Sequence, residues 1–183
     1  MLVKHSLRQT FPVGTAPNLS RRTLFSVLLA SGVLAGCGFQ LRGSQSFVFS
    51  SIAINPHPGG AVAQELRRSL GAAVRVLEAN QPLSQAQVVL DVLGEQREKT
   101  VVGVNSSGQV RELQLRIRVK FRLNTPQGKE LITEDEILQQ RDISYNESAA
   151  LAKEAEEALL YQDMQTDIVQ QILRRLASVK ALS

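Results

Sequence analysis

Residues 113–123 have the sequence Leu-Gln-Leu-Arg-Ile-Arg-Val-Lys-Phe-Arg-Leu, in which every odd position is apolar and every even position is polar or charged. Successive side chains of a β-strand point to opposite faces of a sheet, so this alternation is typical of a strand with one buried and one polar face. The run therefore predicts a strand around which the rest of the chain can be placed.

Two turns flank this strand and suggest its partners. Asn105-Ser106-Ser107-Gly108 is a hairpin turn signal, and the extended segment before it begins near Ala86. After a second turn at 125–129, a third strand is expected over 130–145, with a twist or bulge where its alternation fails. Pairing Val104 with Gln109 predicts these opposed residues: Phe121 and Val92, Leu123 and Leu90, Arg122 and Asp91, Arg118 and Glu95. The second turn predicts Lys120 opposite Glu134 and Arg118 opposite Glu136.

The polar face of the strand allows two interpretations. Its four bases, viewed alone, resemble a ladder that binds polyanions: Arg116, Arg118, Lys120 and Arg122. The predicted registers flank these four bases with four acids, which favours an ordinary solvated face with cross-strand charge pairs. Phosphate binding by this face stays open as the alternative.

The remaining elements follow from local patterns. A strand is predicted over 47–54, a helix from Ala61 to about Gly71, and a short strand over 74–77. A helix is predicted over 148–177. Its apolar stripe comprises Leu151, Ala155, Ala158, Leu159, Val169, Ile172, Leu173 and Leu176, which predicts a helix packed on a sheet. The fold class is α/β of the α+β type.

The N-terminal segment reads as an export signal. Arg21-Arg22 precedes an apolar run over 23–34, which is too short to span a bilayer, and the run ends in Leu34-Ala35-Gly36-Cys37. This lipobox pattern predicts that residues 1–36 are removed and that Cys37 is acylated, the alternative being a short N-terminal helix with an incidental thiol. Sec and twin-arginine export both stay open. The residue after the cysteine is Gly38 rather than the Asp that tends to retain lipoproteins in the inner membrane. By this sorting rule, we expect the product in the outer membrane.

Removing residues 1–36 changes the charge of the chain. That segment holds four of the 21 Lys and Arg residues and none of the 17 Asp and Glu residues, so the mature chain has no formal net charge. The high isoelectric point therefore belongs mostly to the export signal. A general role in binding polyanions loses its main support.

The mature chain lacks the residues of most catalytic sites. Cys37 is the only cysteine, and His57 is the only histidine after residue 36. This excludes Cys/His metal clusters, Ser-His-Asp triads and Cys-His dyads, and no nucleotide-binding glycine motif is present. We expect a protein that is not an enzyme and has no cofactor; a hydrolase using carboxylates or a Ser-Lys dyad is the formal alternative.

The N terminus of the mature chain carries a family resemblance. Gly-Cys-Gly-Phe-Gln-Leu-Arg-Gly at 36–43 resembles the mature N terminus of the LPS-assembly lipoprotein (LptE) family. The hairpin at 102–109, Asn146 with 150–153, and Met164 are similar to further family features. The resemblance implies a two-layer sandwich in which two helices pack on a roughly four-stranded mixed or antiparallel sheet. The expected organisation is a signal peptide (1–36), an acylated tether (37–45), one domain (46–178) and a tail (179–183).

The resemblance also implies a function and a location. Such lipoproteins plug an LptD-type outer-membrane β-barrel, assist its assembly and bind lipopolysaccharide on its way to the outer leaflet. We therefore expect a lipid-anchored outer-membrane protein whose partners are that barrel and lipopolysaccharide, with Phe39, Leu41 and Arg42 making contacts near the anchor. A periplasm-facing outer-membrane lipoprotein that scaffolds another envelope complex is the alternative.

Three bases are candidates for lipopolysaccharide contact. By resemblance, Lys153 matches a basic family position, whereas a second such position in the hairpin falls at Ser106. The predicted registers place the hairpin turn and Tyr145 at one end of the sheet, so we hypothesise that Lys99, Arg111 and Lys153 cluster there and contact phosphates. The helical wheel predicts that Lys153 points outward. The alternative is a set of solvated surface bases.

Overall fold

The computed structural model describes residues 45–182, so the predictions for the signal peptide and for Cys37, Phe39, Leu41 and Arg42 lie outside the described residues. The helices and strands are β1 (Ser51–Asn55), α1 (Val62–Leu70), β2 (Arg75–Val76), β3 (Val88–Val104), β4 (Val110–Asn124), β5 (Glu130–Ser144) and α2 (Ala150–Ala177). Short 3₁₀ turns occupy Leu83–Gln85 and Glu147–Ala149.

The strands form one sheet in the order β2, β1, β3, β4, β5. Strand β1 runs parallel to β2 and to β3, and it pairs with β3 only through Val88–Asp91. Strands β3, β4 and β5 form an antiparallel meander. The predicted fold of two helices on a mixed sheet is confirmed, with five strands rather than four because β1 also pairs with the two-residue strand β2.

Strand β1 is shorter than predicted. It begins at Ser51 rather than at Phe47, because the preceding residues pack instead of pairing. The rings of Phe47 and Phe49 lie 5.2 Å apart between centroids, and Phe49 is buried.

Strand β4 is the centre of the core, as the alternation predicted. Leu113 is 9% exposed, and the other five odd-numbered residues through Leu123 are fully buried beneath the helices. Phe121 has the largest of these side chains, and the guanidinium of Arg175 from α2 lies 5.8 Å from the centroid of its ring. The prediction of a strand with one buried and one polar face is confirmed.

The register of β3 on β4 agrees with the prediction only near the start of β3. Phe121 lies opposite Val92, and the predicted pairs of Leu123 with Leu90 and Arg122 with Asp91 are also present. Lys120 then pairs with Gly94, which leaves Leu93 as the extra residue of a β-bulge.

The bulge changes which side chains face the helices. It moves Glu95 opposite Val119, so the predicted pairing of Glu95 with Arg118 is wrong. Arg97 and Lys99 follow Glu95 at alternate positions and likewise lie opposite buried residues of β4. Three charged residues of β3 therefore lie on the helix side of the sheet.

A second irregularity lies near the hairpin. Val104 pairs with Val110 rather than with Gln109, although the Asn105 N–H still donates to the Gln109 carbonyl at 2.9 Å.

The polar face of the sheet carries charge pairs between neighbouring strands. Lys120 lies opposite Glu136, not Glu134, so the predicted register of β5 is off by two residues there. A shift of two keeps side chains on the same face, and the predicted ion pairs form diagonally. Lys120 Nζ lies 3.3 Å from Glu134 and Arg118 Nη1 lies 3.5 Å from Glu136. Arg122 Nε lies 2.9 Å from Asp91, so the solvated, paired interpretation of this face is confirmed for these three bases.

Helix α2 is present as predicted, but its apolar stripe is buried only in the second half of the helix. Its buried residues all lie at or after Met164. Leu151 is 82% exposed and Leu159 is 63% exposed, so the prediction that the whole apolar stripe packs on the fold is wrong for the first half. The nine residues of α1 span only ~14 Å, against ~42 Å for the 28 residues of α2. Helix α1 lies beside the middle of α2, where Glu65 accepts hydrogen bonds from Gln165 and Thr166.

Within residues 45–182, no helix combines the length and the apolar character needed to cross a membrane.

Candidate functional site

The β3–β4 hairpin ends in a well-ordered turn, as its sequence predicted. Asn105 Oδ1 accepts the backbone N–H groups of Ser107 at 3.0 Å and Gln109 at 2.9 Å. Gly108 has φ +78°, a conformation that residues with a Cβ rarely adopt. The turn therefore holds Ser106 at the exposed tip, where the family resemblance would place a base.

Arg111 lies just after this turn and beside the entry to α2. Its Nη2 contacts Gln109 Oε1 at 3.5 Å, and among residues 45–182 it forms no ion pair. Arg111 lines a shallow cavity of about 240 Å³ together with residues 146–148. It is the candidate base with the fewest competing partners.

Lys99 lies on the helix side of β3 and contacts α2. Its Nζ lies 3.0 Å from Glu157 Oε2, and this hydrogen bond raises the pKa of Lys99 above its ordinary value of 10.5. The side chain is 49% exposed, so the pair is screened by water. Lys99 is accessible, but its charge already has a partner.

Lys153 points toward the sheet, so the predicted outward orientation is wrong. Its side chain is 20% exposed, and its Nζ donates to Ser144 Oγ at 3.1 Å and to Glu156 Oε2 at 2.8 Å. An outward Lys153 would require the apolar stripe to face the sheet along the whole helix. In the first half of α2 the stripe faces outward instead, and the face bearing Lys153 lies beneath it.

The three bases share one end of the fold but not one binding pocket. Lys99 meets α2 from β3, whereas Lys153 reaches Ser144 on β5, and these two strands lie on opposite sides of β4. Arg111 lies in β4, near the turn. A phosphate group that bound either lysine would share it with a carboxylate, Glu157 at Lys99 or Glu156 at Lys153.

A polar layer joins the first half of α2 to β3. Tyr161 Oη donates to the Glu98 carbonyl at 2.8 Å, and the guanidinium of Arg97 lies 5.5 Å from the centroid of the Tyr161 ring. Arg97 Nη2 also donates to Gln165 Oε1 at 2.7 Å. Burial raises the pKa of Tyr161 above its ordinary value of 10.0. An open groove of about 440 Å³ runs beside this layer, lined by Lys99, Glu157 and Ala158 among others.

The same end of the fold exposes apolar side chains that sequence reasoning did not single out. Val101, Val102 and Val104 of β3 are 49%, 48% and 60% exposed. The chain from Thr100 to Val110 contains no charged residue. This uncharged run is the sequence signal that could have identified the exposed valines. Exposed apolar residues of this kind often mark a contact with a protein, a membrane or a ligand.

Sequence reasoning also missed the role of Glu95. Its carboxylate accepts the backbone N–H groups of Ala61 at 3.1 Å and Val62 at 3.0 Å, and so caps the N terminus of α1. A cap supplied by a distant strand leaves no local sequence signal.

Among the described residues, no group of His, Cys, Asp and Glu side chains is arranged to hold a metal ion.

Comparisons with known proteins cover most of the chain. The chain is 28% identical over 166 residues to the LPS-assembly lipoprotein LptE of Yersinia enterocolitica. This alignment covers 88% of this chain and 79% of that protein. The chain is 29% identical over 165 residues to the LPS-assembly lipoprotein LptE of Photorhabdus laumondii. This alignment covers 87% of this chain and 88% of that protein.

Solved structures share the fold. Uncharacterized lipoprotein B from Nitrosomonas europaea, solved by NMR, is 33% identical with a TM-score of 0.67, covering 77% of this chain and 91% of that one. The crystal structure of rare lipoprotein B from Shewanella oneidensis is 25% identical with a TM-score of 0.59, covering 70% and 94%.

The family described as LptE, lipopolysaccharide-assembly, matches residues 47–176. This match begins before β1 and ends in the last turn of α2, so it includes every strand and both helices. The chain belongs to the LptE family.

Proposed function

We propose that this protein is an outer-membrane lipoprotein that acts in lipopolysaccharide assembly as the non-enzymatic partner of an LptD-type β-barrel. The observation that carries the proposal is the family match over 47–176. Relatives that cover most of the chain are named LPS-assembly lipoproteins.

The anchor in this proposal is Cys37. The lipobox at 34–37 supplies the small residues that precede an acylated cysteine. Phe39, Leu41 and Arg42 follow at once and would contact lipid or barrel near the anchor.

The charge distribution of the sheet is compatible with a role inside a partner. Moving a lone charge out of water is costly, whereas a paired charge keeps its counter-ion when it is enclosed. On the polar face, Arg118, Lys120 and Arg122 already have carboxylate partners. Enclosure in a polar barrel lumen, where the protein would plug the barrel and assist its assembly, would tolerate a surface of this kind.

Lipopolysaccharide binding is proposed at the hairpin end. Arg111 is the first candidate because it forms no ion pair among the described residues. Lys99 and Lys153 are the second and third, because a glutamate already binds each of them. Contacts of this kind are charge-assisted hydrogen bonds, which are stronger than neutral ones.

The barrel proposal is tested by affinity purification of the tagged, acylated protein from detergent-solubilised outer membranes. We expect a β-barrel several times larger than this chain to co-purify in stoichiometric amount, and we expect a Cys37→Ser variant to be absent from the outer membrane. If acylation of Cys37 is verified and no barrel co-purifies, the proposal is wrong and a scaffold for another envelope complex becomes the better account.

The lipopolysaccharide proposal is tested by charge reversal. A variant with Lys99→Glu, Arg111→Glu and Lys153→Glu should lose binding to immobilised lipopolysaccharide. The matched control reverses three exposed bases elsewhere, Arg75→Glu, Lys129→Glu and Lys180→Glu, and should retain binding. Equal binding by both variants would contradict the proposed site.

A further inference from the structure

The end of the sheet opposite the hairpin is where the described chain enters the fold. Strands β1, β3 and β5 begin at this end, and β4 finishes there. Helix α1 ends shortly before Arg75, whose backbone N–H donates to the Ser50 carbonyl at 2.9 Å. Arg175, near the end of α2, binds Asp135 of β5. We call this the anchor end, because Cys37 lies only a short distance before it in the sequence.

The anchor end carries exposed bases from several separate elements. They lie in the last turn of α1, in β2, in the turn between β4 and β5, in the last turn of α2 and in the tail: Arg68, Arg75, Lys129, Arg174 and Lys180. Within residues 45–182, none of these five side chains forms an ion pair. Their positive charges are therefore available to a partner.

The acids of the anchor end do not cancel these bases. Two of the acids are already bound by other arginines, Asp91 by Arg122 and Asp135 by Arg175. The acids that form no ion pair in the described part of the chain are Glu78 and Glu130. The anchor end thus has an excess of positive charge.

The hairpin end has the opposite balance. Between Glu147 and Asp163, which covers the first half of α2, the chain has five acids and a single base, Lys153. The 15 residues of β4 separate the two ends by ~50 Å. Although the mature chain has no formal net charge, its charges are divided along the length of the fold.

The position of the anchor selects the partner of the positive end. Eight residues lead from Cys37 to Gln45, so the two Cα atoms are at most about 29 Å apart. An acylated Cys37 would therefore keep the anchor end close to the bilayer. Anionic headgroups attract Lys and Arg side chains that lie near a membrane surface.

A second copy of the chain fits this end less well. Its acidic hairpin end would be complementary in charge, which favours a head-to-tail contact. Two copies anchored in one bilayer would both have the anchor end toward the lipid, however, and this common orientation opposes head-to-tail stacking.

We propose that the five exposed bases of the anchor end form a docking surface for the anionic phospholipid headgroups of the leaflet that holds the acyl chains of Cys37. This inference rests on the proposed function only for the lipid anchor and needs no barrel. An acyl anchor holds a chain at a bilayer, and a basic surface adds a second attraction that also orients it. The hairpin end is left free for lipopolysaccharide.

The test is cosedimentation of the mature chain with phospholipid vesicles. Cys37→Ser removes the acyl chains, so that any binding comes from the folded chain. We expect binding to vesicles of equimolar phosphatidylglycerol and phosphatidylcholine, little binding to vesicles of phosphatidylcholine alone, and loss of binding at high salt. Adding Arg68→Gln, Arg75→Gln and Arg174→Gln should lower the partition onto the anionic vesicles by at least about tenfold.

The matched control keeps the three charges and changes the side chains. Arg68→Lys, Arg75→Lys and Arg174→Lys should bind anionic vesicles as well as the parent chain does. All three positions are exposed, so thermal unfolding of both variants should match that of the parent. A further variant, Lys129→Gln with Lys180→Gln, changes only residues outside the helices and strands and should also weaken vesicle binding.

Two outcomes would overturn the docking surface while the proposed function stands. One is equal binding of the parent chain to anionic and zwitterionic vesicles. The other is unchanged binding by the glutamine variants. Conversely, if the acylated protein recovers no barrel from outer membranes but the vesicle results are as expected, the barrel proposal fails and the docking surface stands.

Immobilised lipopolysaccharide distinguishes the source of the phosphate groups. The variant with three glutamines should still bind lipopolysaccharide, because the hairpin end is proposed to supply that contact. If it loses lipopolysaccharide and vesicles to the same extent, the surface binds any polyanion and its assignment to the bilayer is wrong. Sedimentation velocity tests the second copy, since oligomers that dissociate when the three arginines are replaced would also overturn the assignment.

Discussion

Glu95 Oε2 accepts a hydrogen bond from the backbone N–H of Val62 at 3.0 Å, so a residue of β3 caps helix α1. The N-cap residue of α1 is Ala61, whose side chain cannot accept a hydrogen bond. A carboxylate at a helix N terminus also interacts favourably with the helix dipole. The bulge at Leu93 makes this contact possible because it turns Glu95 toward the helices.

The first prediction concerns this cap. Glu95→Ala should lower the free energy of unfolding by about 1–2 kcal/mol, the usual effect of losing a helix cap, as measured by urea denaturation. Glu98→Ala is the control, because among the described residues the Glu98 side chain accepts no hydrogen bond. The control should change stability by less than about 0.5 kcal/mol. Equal stability of the two variants would contradict the role of the cap.

The second prediction tests the space around the cap. A Cβ at Gly60 would lie 2.5 Å from Glu95 Oε2, so Gly60→Ala should force the carboxylate away from the N–H groups it binds. We expect Gly60→Ala to destabilise the wild type, and to destabilise the Glu95→Ala variant much less, because neighbouring substitutions are not additive. A double-mutant cycle with no coupling energy would rule this arrangement out.

The third prediction concerns alkaline pH. The hydrogen bond to Glu157 raises the pKa of Lys99 above 10.5, and burial raises the pKa of Tyr161 above 10.0. Well below pH 10 both groups are protonated in the folded and the unfolded chain, and their stabilisation is fully present. As the pH rises further, the unfolded chain loses these protons first, so stability falls. A variant with Lys99→Met and Tyr161→Phe should show a shallower fall in urea midpoint above pH 10, and an identical fall would contradict the prediction.

The fourth prediction contrasts the two halves of α2. Leu176→Ala should lower the free energy of unfolding by about 2–5 kcal/mol, because Leu176 is fully buried. Leu159→Ala removes the same atoms from a side chain that is 63% exposed, and should change stability by less than about 0.5 kcal/mol. Thermal or urea unfolding of the two variants measures the contrast. Comparable losses would mean that the first half of α2 is packed in the free protein.

The sequence predicted the structure correctly where its apolar residues follow a regular period. The alternation of 113–123 defined β4 and its buried face, whereas the register at Val92 was predicted from the hairpin turn, by pairing Val104 with Gln109. The sequence was not sufficient at Leu93, because a bulge adds one residue without a distinctive local pattern. The Lys99–Glu157 pair depended on that bulge, and its partners lie in elements far apart in the chain.

Helix α2 shows a second limit. Its amphipathic pattern was read correctly, but a wheel shows only which residues share a face. Whether that face is covered depends on the length of α1, which ends after nine residues. The orientation of Lys153 was wrong for this reason, whereas its pairing with Glu156 follows the three-residue spacing of helix neighbours.

The short pairing of β1 with β3 has a consequence for aggregation. Beyond Asp91, and within the described residues, β3 has no strand on its outer side, so its backbone forms an open sheet edge. Open edges invite other chains to add strands, and charged residues that point inward hinder such stacking. Arg97 and Lys99 occupy such positions, and Tyr161 already binds the Glu98 carbonyl. The side chains that attach α2 to the sheet therefore also hinder the addition of a strand from another chain at this edge.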